Sequence, residues 1–138
     1  MNMELKDKIE KSIKDRNISA NSIFDVIKYS INGIVSYAKE GKSIIMYVAC
    51  SIIEIIMGFL YHVNGLEWIL IICILGFILS IELVNTAIEK VCDAVTTEYN
   101  PLIKIAKDCG SAATFVIFIV AIMLNVIIFA PKIYSLFM

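Results

Sequence analysis

Three long apolar segments constrain the fold of this chain more than any other feature of its sequence. Residues 110–130 are 21 positions without a charge, and Pro131 and Lys132 are predicted to close this span. Residues 44–60 carry one charged side chain, Glu54. The segment 66–98 contains 14 consecutive uncharged residues, 68–81, between Glu67 and Glu82, and Asn100-Pro101 is predicted to break or end its helix. About 20 apolar residues are needed for a helix to cross the hydrocarbon core of a bilayer. Since 59% of the 138 residues are hydrophobic, we predict an all-α integral membrane protein with three transmembrane helices.

The region before these spans, residues 1–42, has the pattern of helices that lie on a membrane surface. Apolar residues recur every four positions within 3–18 and every three or four within 22–37, as on one face of a helix. We therefore predict interfacial amphipathic helices at the cytosolic side. A solvated and partly disordered state is the alternative for 3–18. With the three spans, this region forms one predicted membrane domain, 1–138.

The distribution of positive charge predicts the orientation in the membrane. The chain has 12 Lys and Arg against 13 Asp and Glu, and this balance, without a long basic run, argues against nucleic-acid binding. All basic residues except Lys132 lie either before residue 43 or within 90–107. Because cytosolic segments are enriched in Lys and Arg, we predict a multi-pass cell-membrane protein. Its N-terminus and the connection between the second and third spans are expected in the cytosol.

An acidic stripe follows the apolar part of the second span. At about 100° per residue, Glu82, Glu89 and Asp93 fall within roughly 40° of one another, and Asn85 lies about 60° to one side. The preceding 14 uncharged residues cover only about 21 Å, so Glu82 is predicted at the lipid edge. Placing charged carboxylates at that depth costs free energy, so such residues usually have a functional role. A helix end that emerges into water with solvated charges is the alternative.

The chemistry of this stripe points to phosphoryl transfer. Carboxylate oxygens are hard ligands suited to Mg²⁺, which fills its other positions with phosphate and water. Lys107 and Asp108 precede the third span on the same cytosolic side, where a lysine can meet phosphate as a point charge. The sequence contains neither a P-loop nor the HRD and DFG elements of protein kinases, so any nucleotide site is of another type.

These residues closely resemble the signature of the small prokaryotic diacylglycerol kinase and undecaprenol kinase family. The resemblance rests on residues 80–93, SIELVNTAIEKVCD, on 106–113, AKDCGSAA, and on 28–33, KYSING. It extends over about residues 22–130. The segments GLEW, residues 65–68, and ELVNTAIE, residues 82–89, are more similar to the undecaprenol branch of the family than to the diacylglycerol branch.

The resemblance implies a homotrimer, with sites at subunit interfaces, that transfers the γ-phosphate of Mg-ATP to a lipid alcohol. Glu82 resembles the general base, and its depth at the lipid edge suits that role. Glu89 and Glu40 resemble the family's metal ligands. Asn85 and Asp93 resemble residues that shape the site. Ser111 resembles a lipid-side contact. The residues that resemble ATP contacts are Tyr29, Glu40, Glu89, Glu98, Tyr99, Asn100, Lys107 and Asp108.

Glu40 departs from the family pattern by one position. The family places its second metal-binding glutamate at the position of Gly41, commonly followed by Asn-Phe-Arg, and that tripeptide is absent here. A one-residue deletion in the preceding turn would bring Glu40 into register. We therefore predict Glu40 as the second metal carboxylate.

Two further interpretations concern the acceptor and the polar residues inside the spans. Undecaprenol is the expected acceptor, and diacylglycerol, which would give phosphatidic acid, is the alternative. A function of another class is a small transporter or scaffold subunit that uses Glu54 and Glu82 for protons or cations. We favour a protonated or hydrogen-bonded structural role for Glu54 at a subunit interface over binding of a headgroup or proton. Asn125 is expected to make an interhelical hydrogen bond.

Overall fold

The computed structural model describes residues 3, 6–12, 23–39 and 42–136. Glu40 and residues 13–22 of the predicted interfacial region lie outside the described residues. The chain divides into two compact units, Met1–Lys39 and Glu40–Met138.

The first unit contains helix α1, Ile23–Lys39, and residues 6–12 are also helical. The bounds of α1 are close to the predicted 22–37. Apolar side chains such as Phe24 and Ile27 are exposed along α1. Tyr29, one of the predicted ATP contacts, lies on this helix.

The second unit consists of three long helices. They are α2, Lys42–Leu60, α3, Gly65–Val95, and α4, Pro101–Tyr134. All three are long and apolar enough to cross a membrane, which confirms the predicted all-α, three-span fold. At 1.5 Å per residue, the 31 residues of α3 and the 34 of α4 extend over roughly 47 and 51 Å. Both helices are therefore longer than the hydrocarbon core is thick.

The turn between α2 and α3 is fixed by backbone bonds and a capping box. Val63 donates to the carbonyl of Gly58 over 3.1 Å and His62 to that of Phe59 over 3.3 Å, the two bonds of a Schellman motif. His62 takes the left-handed position, with φ 48°. The next helix then begins with Asn64 as its N-cap.

The connection between α3 and α4 is short, residues 96–100, and both helix ends are capped. Helix α3 ends at Val95, earlier than the sequence interpretation of 66–98, because Thr96 is extended. Asn100 is the N-cap of α4, and its Oδ1 accepts from Leu102 N over 2.9 Å. Pro101 occupies the first turn of α4, where a missing N–H costs no helical bond. The predicted break at Asn100-Pro101 is thus the start of α4.

Helix α4 differs from the sequence interpretation at its other end. The sequence predicts that Pro131 closes the span after residue 130, but the helix continues through it to Tyr134. A proline inside a helix removes one backbone hydrogen bond. Its carbonyl still accepts from Ser135 N over 3.1 Å, so the last turn remains bonded.

The core of the second unit lies mainly between α3 and α4. Ile71, which is 0% exposed, packs in one cluster with Ile128 and Phe129. A second cluster further along contains Ile78 and Ala121. These pairings show that α3 and α4 are antiparallel. They place the acidic part of α3 beside the first turns of α4.

Helix α2 is held to α3 by two specific contacts. The Tyr47 hydroxyl donates to the carbonyl oxygen of Leu75 over 3.1 Å. Near the turn, the Trp68 indole covers Gly58 so closely that a Cβ there would lie 2.6 Å from a ring carbon. The three helices therefore form one packed unit.

Candidate active site

The polar residues of α3 and α4 collect at one end of the helix pair. We call this the site end and define it as residues 82–93 of α3 and 104–111 of α4. Helical periodicity places Glu82, Glu89 and Asp93 on one stripe of α3. Because α3 and α4 run antiparallel, the lysines and Asp108 at the start of α4 lie beside that stripe.

Asn85 and Glu89 are joined across one turn of α3. Asn85 Nδ2 donates to Glu89 Oε1 over 3.2 Å, and both side chains are half-buried. Asn85 Oδ1 is buried and has no hydrogen-bond partner among the described residues. That oxygen faces Gly110, which is buried in α4. The carboxamide is thus held between the backbone of α4 and the carboxylate of Glu89.

Asp93 and Lys107 join the two helices. Lys107 Nζ donates to Asp93 Oδ1 over 2.6 Å, and the side chains are 40% and 59% exposed, respectively. An ion pair this accessible to water contributes little net stability. A phosphate group can therefore compete for Lys107 at small cost.

Lys104 and Asp108 form a second pair, along the surface of α4. Their Nζ and Oδ2 atoms are 2.8 Å apart, at the (i, i+4) spacing. The sequence interpretation grouped Asp108 with Lys107, whereas the structure gives each a different partner. Lys104 was not identified from the sequence, although its spacing to Asp108 is a recognised helical pairing.

Glu82 lies at the border between the site end and an apolar cavity. The cavity, of about 430 Å³, is lined by Glu82, Ile78 and Leu75 of α3 and by residues of α2 and α4. From Leu75 to Glu82 it extends about 10 Å along the helix. Glu82 is half-buried there. A carboxylate at the edge of such a cavity can reach a polar group at the end of an apolar chain.

The same cavity contains a polar pair within the membrane-spanning part of the bundle. Asn125 Nδ2 donates to Glu54 Oε1 over 3.1 Å and to the Ala121 carbonyl over 3.0 Å. This confirms the predicted interhelical bond of Asn125 and, of the two alternatives predicted for Glu54, shows the hydrogen-bonded one. A place for Glu54 at a subunit interface stays a prediction.

The remaining predicted contacts lie around the start of α4. Glu98 donates its backbone N–H to Thr96 Oγ1 over 3.0 Å, and Tyr99 is 82% exposed. Asn100 uses its side chain to cap α4, so a purely nucleotide-binding role does not explain it. Ser111 is exposed, and its carbonyl accepts from Thr114 Oγ1 over 2.8 Å.

A complete metal-binding group does not appear in the part of the chain that the structure describes. No three His, Cys, Asp or Glu side chains come together there in a way that could hold an ion. Glu89 does offer carboxylate oxygens in a fixed orientation, which fits a hard cation such as Mg²⁺. Glu40, the other predicted ligand, lies outside the described residues.

Comparison with known proteins identifies the class of protein to which this fold and site belong. The sequence profile described as "Prokaryotic diacylglycerol kinase" matches residues 28–129. That range contains the whole acidic segment of α3 and the site residues of α4. The protein is an integral-membrane lipid kinase.

Individual relatives agree with the profile. The chain is 32% identical over 119 residues to an undecaprenol kinase of Bacillus subtilis, covering 86% of this chain and 97% of the relative. It is 36% identical over 94 residues to a diacylglycerol kinase of Pseudomonas aeruginosa, covering 68% and 76%. A diacylglycerol kinase of Helicobacter pylori is 33% identical over 96 residues, with 68% and 73% covered. The chain belongs to the prokaryotic diacylglycerol kinase family.

Proposed function

We propose that this protein transfers the γ-phosphate of ATP to the hydroxyl of undecaprenol, giving undecaprenyl phosphate. The observation that carries the proposal is the position of Glu82, half-buried at the edge of an apolar cavity. Glu89 and Asp93 follow it on the same helix, and Lys107 of α4 pairs with Asp93. The cavity offers a place for a lipid chain, and the site end offers groups for a nucleotide.

Glu82 is the general base in this proposal. The lipid hydroxyl oxygen attacks the γ-phosphorus, the bond from that phosphorus to the bridging oxygen of ADP breaks, and Glu82 accepts the hydroxyl proton. The protein contributes mostly position and charge, as is usual for phosphoryl transfer. The cavity supports this role because it brings a lipid chain to the carboxylate.

Magnesium is implied by the family, and the donor chemistry of Glu89 fits it. We propose Glu89 and Glu40 as the protein ligands, with phosphate oxygens in other positions. The hydrogen bond from Asn85 supports this assignment because it holds the Glu89 carboxylate in place. When bound, the cation offsets the repulsion between the triphosphate and the neighbouring carboxylates.

The nucleotide is held by Lys107 and its neighbours in the proposed site. The exposed pair with Asp93 leaves Lys107 able to exchange a carboxylate for a phosphate oxygen. Asn85 and Asp93 shape the site, and Ser111 contacts the lipid side. The other proposed ATP contacts are Tyr29, Glu40, Glu89, Glu98, Tyr99, Asn100 and Asp108.

The proposal includes an orientation and an assembly. The concentration of Lys and Arg before residue 43 and within 90–107 supports a cytosolic N-terminus and site end, where ATP is available. The family resemblance supports a homotrimer with sites at the subunit interfaces.

Undecaprenol is favoured as acceptor by the extent of the match. The alignment covers 97% of the Bacillus subtilis undecaprenol kinase but 76% of the Pseudomonas aeruginosa diacylglycerol kinase. Diacylglycerol is the second candidate because the latter relative has the higher identity, 36% against 32%. A transporter or scaffold function is set aside, since the chain belongs to a family of kinases.

The test is transfer of labelled phosphate in reconstituted vesicles. Purified protein receives Mg-ATP labelled in the γ-phosphate, with undecaprenol or diacylglycerol in the membrane, and the lipids are extracted and separated. We expect faster labelling of undecaprenol. Faster labelling of diacylglycerol would reverse the choice of acceptor, and no labelled lipid in either vesicle would overturn the kinase proposal.

A further inference from the structure

Gly110 is placed where any side chain would collide with Asn85. It is buried in α4, and an added Cβ would overlap Asn85 Oδ1 and lie 3.4 Å from Asn85 Cγ. The nearest other side-chain atom to that point is Ile88 Cδ1, at 3.8 Å, an ordinary contact. The Asn85 carboxamide therefore occupies the space that a side chain at residue 110 would need.

The carboxamide of Asn85 is positioned by packing at one end and by a hydrogen bond at the other. Its Oδ1 is buried without a hydrogen-bond partner among the described residues and lies where a Cβ of residue 110 would be. Its Nδ2 donates to Glu89 Oε1 over 3.2 Å. Because the amide group is planar, fixing the oxygen against α4 also fixes the direction in which the nitrogen donates.

We infer that Gly110 is a positioning residue that sets the orientation of the Glu89 carboxylate through Asn85. With Oε1 engaged by Asn85, Oε2 is the oxygen left to face a cation, as a single-oxygen ligand of the kind Mg²⁺ accepts. This inference rests on the proposed role of Glu89 as a metal ligand. In this arrangement α4 orients the metal ligand of α3 through a residue that has no side chain.

The test measures metal binding directly. Binding of Mn²⁺ to the purified protein with a non-hydrolysable ATP analogue is followed by electron paramagnetic resonance. Groups that orient a metal ligand typically change metal affinity 10- to 100-fold, so we expect Gly110→Ala and Asn85→Ala each to weaken Mn²⁺ binding about tenfold. Gly76→Ala is the matched control, because a Cβ at that α3 position meets nothing within 4 Å.

A double variant separates positioning from helix packing. Once Asn85 is truncated, the methyl group at residue 110 has room, so Asn85→Ala/Gly110→Ala should bind Mn²⁺ as Asn85→Ala does. A further loss in the double variant would overturn the inference, as would unchanged binding in Gly110→Ala. If Gly110→Ala does not accumulate in membranes, the comparison of Asn85→Ala with the double variant decides alone.

Glu89→Gln distinguishes failure of this inference from failure of the proposed function. If Glu89→Gln weakens Mn²⁺ binding while Asn85→Ala and Gly110→Ala do not, the inference fails and the metal role of Glu89 stands. If Glu89→Gln itself leaves Mn²⁺ binding unchanged, the proposed metal role fails, and the inference fails with it.

Discussion

The two ends of the α3–α4 pair each contain a lysine–carboxylate bridge between the helices, but in different surroundings. At the site end, Lys107 and Asp93 are 40% and 59% exposed at 2.6 Å. At the far end, which we define by Asn64, Glu67 and Lys132, Lys132 lies 2.9 Å from Glu67 and the side chains are 23% and 20% exposed. The difference is one of access to water.

The far-end bridge is also tied into a helix cap. Glu67 Oε2 accepts from the backbone N–H of Asn64 over 2.6 Å, and Glu67 N donates to Asn64 Oδ1 over 3.0 Å. The carboxylate that binds Lys132 therefore also fixes the start of α3. The comparison indicates that the far end fastens the helices, whereas the site end keeps its charges exchangeable for a ligand.

The strongest test of this division exchanges one carboxylate at each end. Glu82→Gln should lower phosphate transfer by about 10²- to 10⁴-fold, the usual contribution of a general base, and leave ATP binding largely intact. Glu67→Gln, the far-end control, should retain the transfer rate. Both are measured by labelled-lipid formation and by titration with a fluorescent ATP analogue. Equal loss of transfer and ATP binding in Glu82→Gln would argue against a base.

The proposed metal ligands come next in expected size. Glu89→Gln and Glu40→Gln should each raise the Mg²⁺ concentration for half-maximal transfer by about tenfold or more, since each removes a carboxylate from the cation. Glu67→Gln should leave it unchanged. An unaltered Mg²⁺ requirement in Glu40→Gln would mean that the second metal ligand is a residue other than Glu40.

Replacing the two bridging lysines sharpens the contrast between the ends. Lys132→Met should lower the midpoint of thermal unfolding by several degrees, because it frees a carboxylate that also caps α3. Lys107→Met should change the midpoint less and weaken ATP binding more. Circular dichroism melting in detergent and nucleotide titration provide both readouts. The reverse order of stability losses would contradict the assignment of the far end as the fastening end.

The smallest expected effect concerns the polar pair between the two ends. Asn125→Leu should cost about 1 kcal/mol of stability, the typical size of an interhelical hydrogen bond in a membrane protein, with transfer largely retained. Glu54→Gln is the matched control, since a carboxamide can still accept from Asn125. Stability is followed by unfolding in mixed micelles. A large loss of transfer in Asn125→Leu would instead indicate contact with the lipid substrate.

The sequence predicts the fold well because the membrane permits few alternatives. Uninterrupted apolar runs such as 110–130 become spanning helices since backbone groups in hydrocarbon must bond internally. Pro131 does not end α4, contrary to the prediction, because a proline removes only its own N–H donor. The next bond, from Ser135 N to the Pro131 carbonyl, is made over 3.1 Å.

Contacts within the site are predictable only where they are local. The Asn85–Glu89 and Lys104–Asp108 pairs follow from (i, i+4) spacing. The Asp93–Lys107 bridge and the Glu54–Asn125 bond join residues 14 and 71 positions apart, and both depend on how the helices align. Gly110 shows the limit most clearly, since a residue without a side chain gives no chemical signal of its own.

The sparse charge of the far end also bears on how the chain enters the membrane during synthesis. In the proposed orientation this end is carried across the bilayer, and the charged side chains within its described stretches 61–68 and 127–136 are Glu67 and Lys132. The turn at 61–64 is short enough for α2 and α3 to insert as a helical hairpin. Within these stretches, the one negative and the one positive side chain cancel, so their translocation carries no net side-chain charge. The more highly charged site end stays on the side where it was synthesised.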